Sequence, residues 1–445
     1  LPGVDRLAVL PAGFAAGAMA AGIKASGRPD LSVVRTTNGP AATAAVFTQH
    51  PFAAAPVRLS QANLRASAPA GDGGYGWAEA VVATSGCANA ATGEPGLSDQ
   101  HEVGRLLAQA TGLAVEHTLH LSTGIIGTRL PLPTIAAGLA ALVPAGLTET
   151  DEGWASVAVA LRTTDSRTKL ATTVIALPDI DGLTVRPVTI SGCAKGVGMI
   201  HPGMATMLSV ILTDASIEPA LLHAILRPAA ARTWNQLTVD GDTSTNDTVF
   251  VLASGAGGTA PVRAGSDAAR QLGRAIEAIA RDLARQQAAD GEGATTLLTC
   301  QVSGATDAAN ARAIARSVVG SSLVKAAAHG RDPNWGRIAG AAGNGHLADA
   351  VVLRAAGLPA ADAEARAGRP VTLDPASLRI AIAGHAVFDG SRGGPLSFDR
   401  AAARAAMDAP EILIRLDLGL GDGQGEAFGC DLTEEYVIEN AEYTT

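Results

Sequence analysis

Residues 195–213 read KGVGMIHPGMATMLSVILT, a glycine-rich segment that continues directly into an apolar stretch. The run from 209 to 213 predicts a buried strand, and the small residues ahead of it allow close approach of the backbone. Thr206 therefore stands just before a buried strand. A hydroxyl in that position is well placed to attack a carbonyl group.

The hydroxyl of Thr206 needs a base, because a threonine hydroxyl is by itself a weak nucleophile. If it attacks the carbonyl of Ala205, an N-to-O acyl shift and hydrolysis free the α-amine of Thr206. An α-amine has a pKa of about 8, which suits a general base at neutral pH. The residues alone also allow a simpler reading, a glycine-rich turn in which Thr206 caps backbone groups.

The rest of the chain predicts an α/β fold of layered mixed sheets flanked by helices. Strands are predicted at residues 32–37, 44–48, 172–177, 209–213, 248–253 and 412–418. Helices are predicted at residues 99–110, 218–234, 266–287, 307–319 and 399–407. Pro228 is expected to kink or split the second of these helices. With 47% hydrophobic but only 3% aromatic residues, the core must be built from Ala, Val, Leu and Ile.

Composition argues against several classes of protein. The net charge is -9 and the basic residues are scattered, so a nucleic-acid-binding face is not expected. The four cysteines lie far apart without a CxxC pair, which disfavours a zinc knuckle or a disulfide framework and favours the cytoplasm. Residues 9–23 contain proline and glycines and read as buried chain rather than as a signal peptide. No stretch reaches the roughly 18 apolar residues of a membrane helix.

Seven further segments accompany the glycine-rich one. They are TTN at 36–38, STGIIG at 122–127, TTD at 163–165, TVDGDTSTND at 238–247, DGEG at 290–293, DPNWGR at 332–337 and NAEYTT at 440–445. Together with residues 195–208, they closely resemble the signatures of the ornithine acetyltransferase family, also called glutamate N-acetyltransferase, in the family's order. The resemblance extends over nearly the whole chain.

The resemblance implies an ornithine acetyltransferase-like fold and a self-processing enzyme. Cleavage between Ala205 and Thr206 would give an α chain, 1–205, and a β chain, 206–445, which assemble as an α2β2 heterotetramer. Thr206 would carry the acetyl group from N-acetylornithine to glutamate in a ping-pong reaction. No metal and no cofactor are implied, although some members of the family accept acetyl-CoA as a donor.

The resemblance also implies an oxyanion hole. The hydroxyl of Thr123 and the backbone N–H of Gly124 would stabilise the tetrahedral intermediate. From the residues alone, Ser122 to Gly124 would be a turn at the end of a strand. Thr163 and Lys195 would bind the substrate, with the ammonium group of Lys195 facing its carboxylate.

Glu292 and the last residues of the chain are further site residues by resemblance. Glu292 would place a carboxylate near the α-amine of Thr206 and the substrate, whereas its position alone suggests a solvated loop. Asn440 and Thr445 would touch the amino-acid substrate, although such a tail would ordinarily fray.

Residues 240–247 also allow a reading as a calcium loop, which fails because Val251 stands where an EF-hand needs glutamate. They are expected to form a polar turn between two strands that shapes the reaction centre.

Two residues depart from the family pattern. Cys87 and Gly203 stand where asparagine is usual, and we interpret Cys87 as a small buried hydrophobic residue. Three other functions stay open: an acyltransferase of secondary metabolism that acts on a different amino acid, an amidohydrolase or aminopeptidase with an N-terminal threonine, and a binding protein that has lost processing.

Overall fold

The structure is a computed structural model that describes residues 1–201 and 207–441. Its strands are β1 Phe14–Met19, β2 Leu31–Thr36, β3 Ala41–Phe47, β4 Tyr75–Ala78, β5 Ala80–Cys87, β6 Thr118–Ile125, β7 Lys169–Pro178, β8 Val185–Lys195, β9 Leu208–Thr213, β10 Thr248–Ala253, β11 Leu297–Ala305, β12 Arg379–Ile382, β13 His385–Asp389, β14 Gly394–Pro395, β15 Glu411–Asp417 and β16 Gly423–Cys430. Its α-helices are α1 Ala55–Ser67, α2 Gly93–Thr111, α3 Leu132–Ala145, α4 Asp151–Leu161, α5 Pro219–Arg232, α6 Asp267–Ala289, α7 Ala308–Gly320, α8 Ser322–His329, α9 Trp335–Gly343, α10 Ala350–Ala355, α11 Ala360–Arg366, α12 Arg400–Ala406 and α13 Glu434–Ala441.

The predicted elements are confirmed, with boundaries that differ by a few residues. The six predicted strands correspond to β2, β3, β7, β9, β10 and β15. The five predicted helices correspond to α2, α5, α6, α7 and α12. Pro228 lies inside α5, which runs unbroken from Pro219 to Arg232, so this proline does not split the helix; a kink stays a prediction. Residues 14–19, in the segment predicted to be buried chain, form β1 with most side chains buried.

Two compact units make up the described chain. The first comprises the described residues of Leu1–Gly196, Thr206–Ala229 and Thr243–Leu283, and the second those of Val197–Ala205, Ala230–Asp242 and Ala284–Thr445. These units differ from the predicted chains 1–205 and 206–445. That boundary is set by chemistry rather than by packing, and its two residues lie outside the described ranges, so the division stays a prediction.

The first unit contains two sheets within its described residues. One has the strand order β1-β2-β5-β6, and the other has the order β4-β3-β10-β9-β8-β7. Phe14, Val34 and Val81 of the first sheet share a core with Val210 and Phe250 of the second. The predicted layers of sheet are therefore confirmed in this unit.

The strands that lead to the site lie in the middle of the second sheet. β9 and β10 are parallel neighbours, with Leu208 paired to Thr248, and every residue of both is buried. Strands buried on both faces require the continuous apolar runs seen here. Helix α6 packs closely on β8, since a Cβ at Gly192 would lie 2.9 Å from Ile279 Cγ2.

The second unit is built on one sheet within its described residues, with the strand order β14-β13-β12-β15-β11-β16. β11 is parallel to β15 and antiparallel to β16. Helix α7 covers this sheet through Ile314 and Val318, which join Leu298 and Ile414 in one apolar core. Asp307 caps α7 by accepting the backbone N–H groups of residues 309 and 310.

Candidate functional site

The predicted nucleophile Thr206 and its neighbour Ala205 lie outside the described residues, as does Gly203. The described chain resumes at Met207, which is fully buried. The backbone N–H of Met207 donates to Asp247 Oδ1 at 2.8 Å, and its carbonyl accepts the N–H of Thr248 at 3.0 Å. Met207 follows the predicted nucleophile directly, and its N–H and its carbonyl are both hydrogen-bonded, to Asp247 and to Thr248.

Thr123 and Gly124 lie at the carboxyl end of β6, directly before its last residue, Ile125. The side chain of Thr123 is buried. Gly124 has φ +127°, and a Cβ added there would lie 2.3 Å from the carbonyl carbon of Gly86 on the neighbouring strand. Only glycine fits this position, so the backbone of the predicted oxyanion hole is fixed by sterics.

Lys195 and Thr123 are brought together, although 72 residues separate them in sequence. The buried ammonium group of Lys195 donates to Thr123 Oγ1 over 3.1 Å. Because an ammonium group only donates, the oxygen of Thr123 accepts here and its own hydrogen is directed elsewhere. The pair is thus set up to offer a polarised hydroxyl donor.

Asp165 organises the positive charges of this region. Its Oδ1 accepts Lys169 Nζ at 2.6 Å and the N–H of Gly196 at 2.9 Å, and its Oδ2 accepts the backbone N–H of Thr163 at 3.1 Å. Burial raises the pKa of Asp165, but Lys195 and Lys169 outweigh that effect and hold it at about 2. The TTD motif therefore supplies an ionised carboxylate that fixes the start of the glycine-rich segment.

We expect an Asp165→Ala protein to lose about 3–5 kcal/mol of unfolding free energy at neutral pH, because Lys169 is fully buried and would lose this carboxylate. Urea unfolding measures this change. The matched control is Asp267→Ala, which removes an exposed pair with Arg270 and should cost less than about 1 kcal/mol.

The pH dependence follows from the lowered pKa of Asp165. Its contribution is present above the unfolded pKa of about 3.9 and is lost as pH falls through the folded value of about 2. The stability difference between wild type and Asp165→Asn should therefore shrink with acidification across this window. A difference that is constant from pH 6 to pH 2 would contradict this assignment.

The last part of the polar segment 240–247 belongs to the first unit, where it contacts the residue before Thr123. Asn246 Nδ2 donates to the carbonyls of Ala88 and Ser122 at 2.7 and 2.8 Å, so it ties the end of β5 to β6. The segment follows a 3-10 helix, Trp234–Gln236, rather than a strand, so the prediction of a turn between two strands is wrong at its first end. Helix α5 and this short helix intervene between β9 and β10.

In the second unit, Glu292 is almost fully buried. Its Oε2 accepts Asn440 Nδ2 at 2.9 Å, and a Cβ at Gly198 would lie 2.1 Å from the same oxygen. The carboxylate therefore packs against the backbone of the glycine-rich segment rather than in a solvated loop. The structure brings Glu292 and Asn440 together, although 148 residues separate them, whereas Thr445 lies outside the described residues.

The surroundings of Glu292 carry concentrated negative charge. Burial raises the pKa of Tyr436, and the charges of Asp240 and Glu292 raise it further. Burial and the charge of Glu292 likewise raise the pKa of Glu439. Such an environment favours an ammonium group.

Three features of the site were missed by sequence reasoning: the pair of Asp165 with Lys169, the anchor from Asp247 to Met207, and the close packing of Gly198 on Glu292. A signal existed for the first, since Asp165 stands in a recognised motif and Lys169 follows four residues later. Asp247, Gly198 and Glu292 also stand in recognised motifs, but their contacts join segments that lie far apart in sequence, and no local pattern predicts such a pairing. Cys87 is buried, and its Sγ donates to the carbonyl of Thr128 at 3.2 Å, as fits a structural residue.

Membrane-spanning helices and metal clusters are both absent from the described part of the chain. Within residues 1–201 and 207–441, no helix is long and apolar enough to cross a membrane. In the same ranges, no group of three or more His, Cys, Asp or Glu residues could hold a metal ion.

Comparisons with known proteins bear on the whole chain. The model of the ArgJ family matches residues 15–445. The arginine biosynthesis bifunctional protein ArgJ of Synechocystis sp. is 42% identical over 98% of this chain and 97% of its own length. The protein of the same name from Thermus thermophilus is also 42% identical, over 98% of this chain and 99% of its own. A crystal structure of ornithine acetyltransferase complexed with ornithine, from Mycobacterium tuberculosis, is 34% identical, covering 45% of this chain and 97% of that one with a TM-score of 0.38.

Proposed function

This chain belongs to the ArgJ family, and on that premise we propose that it is an ornithine acetyltransferase of arginine biosynthesis. It moves an acetyl group from N-acetylornithine to glutamate through Thr206, after it cuts itself between Ala205 and Thr206. The match to the family over residues 15–445 carries this proposal. The 3.1 Å contact of Lys195 with Thr123 supports it, since acyl transfer requires polarised donors.

Self-cleavage proceeds in two steps, an N-to-O acyl shift and the hydrolysis of an ester. The hydroxyl oxygen of Thr206 attacks the carbonyl carbon of Ala205, the bond from that carbon to the Thr206 nitrogen breaks, and the nitrogen takes the hydroxyl proton. Water then hydrolyses the resulting ester, which leaves Ala205 as a carboxylate and Thr206 with a free hydroxyl and a free α-amine. The amine is the base that later activates the hydroxyl.

Acetyl transfer uses the same residue twice. The α-amine takes the hydroxyl proton as Thr206 attacks the acetyl carbonyl of N-acetylornithine, and ornithine leaves with that proton on its amine. The amine of glutamate then attacks the acetyl ester, and the Thr206 oxygen recovers a proton. The hydroxyl of Thr123 and the N–H of Gly124 stabilise the oxyanion in both halves. Holding the acceptor amine close to the ester favours transfer over hydrolysis.

The remaining residues recognise the amino-acid part of the substrates. Lys195 and Thr163 bind the carboxylate end of the amino acid, and Lys195 also polarises the hydroxyl of Thr123. Glu292 attracts its ammonium group, which the negative surroundings of this carboxylate support. Asn440 orients Glu292 through their 2.9 Å hydrogen bond, and Thr445 completes the contact with the substrate.

Deleting residues 442–445 is expected to lower the rate of acetyl transfer by about 100-fold or more, because substrate positioning is worth that much in rate. Folding should persist, since the deletion removes no residue of any described strand or helix, and α13 Glu434–Ala441 is kept. The rate of N-acetylglutamate formation and the melting temperature measure the two effects. Unchanged turnover by the shortened protein would contradict the assignment of Thr445.

Product analysis separates this proposal from its alternatives. The protein is incubated with N-acetylornithine, with and without glutamate. An acetyltransferase forms N-acetylglutamate and ornithine together, whereas an amidohydrolase releases acetate whether or not glutamate is present. A panel of other amino acids as acceptors tests for a role in secondary metabolism. A binding protein shows no turnover and remains uncut.

The form of the working enzyme is part of the same proposal. Chains 1–205 and 206–445 assemble as an α2β2 heterotetramer in the cytoplasm. The reaction needs no cofactor, and acetyl-CoA is an alternative donor. Mass determination of the purified assembly and an assay with acetyl-CoA in place of N-acetylornithine test these points.

A further inference from the structure

Asp247 is a fully buried carboxyl group at the start of β10 that takes no part in the proposed chemistry. Its Oδ1 accepts the backbone N–H of Met207 at 2.8 Å. Its Oδ2 is also buried, and no hydrogen-bond partner for it exists among the residues that the structure describes. A buried carboxyl oxygen without a partner is costly and calls for an explanation.

The contact lies one peptide bond from the predicted nucleophile. The N–H that Asp247 accepts belongs to the peptide that joins Thr206 to Met207, and peptide groups are planar and stiff. The carbonyl of Met207 is held by the N–H of Thr248, and Leu208 then pairs with Thr248 and with Lys195. Met207 is therefore fixed on the sheet. Asp247 holds its backbone N–H, whose nitrogen is bonded to the carbonyl carbon of Thr206.

The charge state of Asp247 follows from its surroundings. Burial raises its pKa well above the usual value, while the hydrogen bonds from Met207 and Ser244 and the charge of Lys195 oppose that rise without cancelling it. Burial therefore favours the protonated, uncharged form of this carboxyl group. A neutral carboxyl group accepts at one oxygen and donates from the other.

We propose that Asp247 is a positioning residue for self-cleavage, which fixes the peptide between Thr206 and Met207 by accepting its N–H. It exchanges no proton with the reacting atoms. The inference rests on the proposed cleavage between Ala205 and Thr206 and adds a residue to it.

Two substitutions separate positioning from acid–base chemistry. Asp247→Asn keeps the shape, one acceptor and one donor, and carries no charge. Asp247→Leu keeps a similar volume and removes both hydrogen-bonding functions. The matched control is the same pair of substitutions at Asp214, which follows the other end of β9 and accepts the N–H of Thr189 at 2.9 Å. Asp214 thus makes the same kind of contact at the end of the strand away from Met207.

The measurement is the rate at which newly made chains are cut. Each protein is synthesised in a cell-free system, and samples taken over time are resolved on a denaturing gel. Asp247→Leu should be cut about 100-fold more slowly than wild type, as expected for a misplaced reacting group. Asp247→Asn should be cut within about threefold of the wild-type rate with the same pH profile, and both Asp214 variants should match wild type.

Several outcomes overturn the inference. If the Asp247→Leu protein is cut at the wild-type rate, Asp247 has no positioning role in cleavage. Equal slowing of Asp247→Asn and Asp247→Leu, or a changed pH profile in Asp247→Asn, indicates a carboxyl group that titrates during the reaction. If Asp247→Leu does not fold, the rate and pH profile of Asp247→Asn decide alone. A wild-type chain that is never cut overturns the proposed function together with this inference, whereas the other outcomes leave the proposed function intact.

Discussion

A Thr206→Ala protein is expected to remain one uncut chain and to lose acetyl transfer by about 10⁴-fold or more. The substitution removes the hydroxyl that attacks Ala205, and without the cut no α-amine is freed to act as base. One change thus removes the nucleophile and prevents formation of its activator. Because two reacting groups are lost together, this effect should exceed that of a single substitution at Thr123, Lys195 or Glu292.

The size of the chain and the rate of N-acetylglutamate formation measure the two losses. Thr206→Ser is the matched control, because serine supplies the same hydroxyl and amine. We expect it to be cut and to retain measurable transfer. Continued cleavage and transfer by Thr206→Ala would show that another residue carries the acetyl group.

Thr123→Val should lower kcat by about 10²–10³-fold, which is the loss seen when one oxyanion donor is removed. Valine has nearly the shape of threonine, so the buried position at the end of β6 stays filled. The hydroxyl is lost both to the tetrahedral intermediate and to the ammonium group of Lys195. Because the oxyanion forms only during reaction, kcat should fall much more than KM rises.

Thr43→Val provides the control for this substitution. Thr43 is buried on β3, and its hydroxyl donates to the carbonyl of Ala41 at 3.1 Å. Its replacement should change stability modestly and leave kcat near wild type. If Thr123→Val and Thr43→Val lower kcat equally, the effect comes from packing, and Thr123 is not an oxyanion donor.

Much of the fold could be predicted because local patterns dominate it. The run from 248 to 253 is apolar after Thr248 and forms the fully buried β10. The period of the apolar residues from 266 to 287 matches α6, where Leu272, Ile276 and Ile279 are buried. Pro228 does not split its helix, although proline lacks the backbone N–H that a helix interior uses. The order of strands in each sheet could not be predicted, since it depends on pairing between distant segments.

The candidate site residues were proposed from resemblance more than from residue chemistry. The motifs pointed to Thr123 and Lys195, and the structure brings their side chains into contact. Glu292 looked like a loop residue by its position, and its burial depends on Gly198 and on the returning helix α13. Asp247 ends the recognised segment 238–247, but its hydrogen bond to a backbone group 40 residues earlier could not be predicted from that segment.

Intact-mass analysis of the protein after brief mixing with N-acetylornithine, without glutamate, tests the acetyl-threonine intermediate most directly. We predict two chains, 1–205 and 206–445, with a single acetyl group confined to the second and mapped to Thr206. Addition of glutamate should remove that group and produce N-acetylglutamate. An uncut chain, or an acetyl group on any other residue, would contradict catalysis by Thr206.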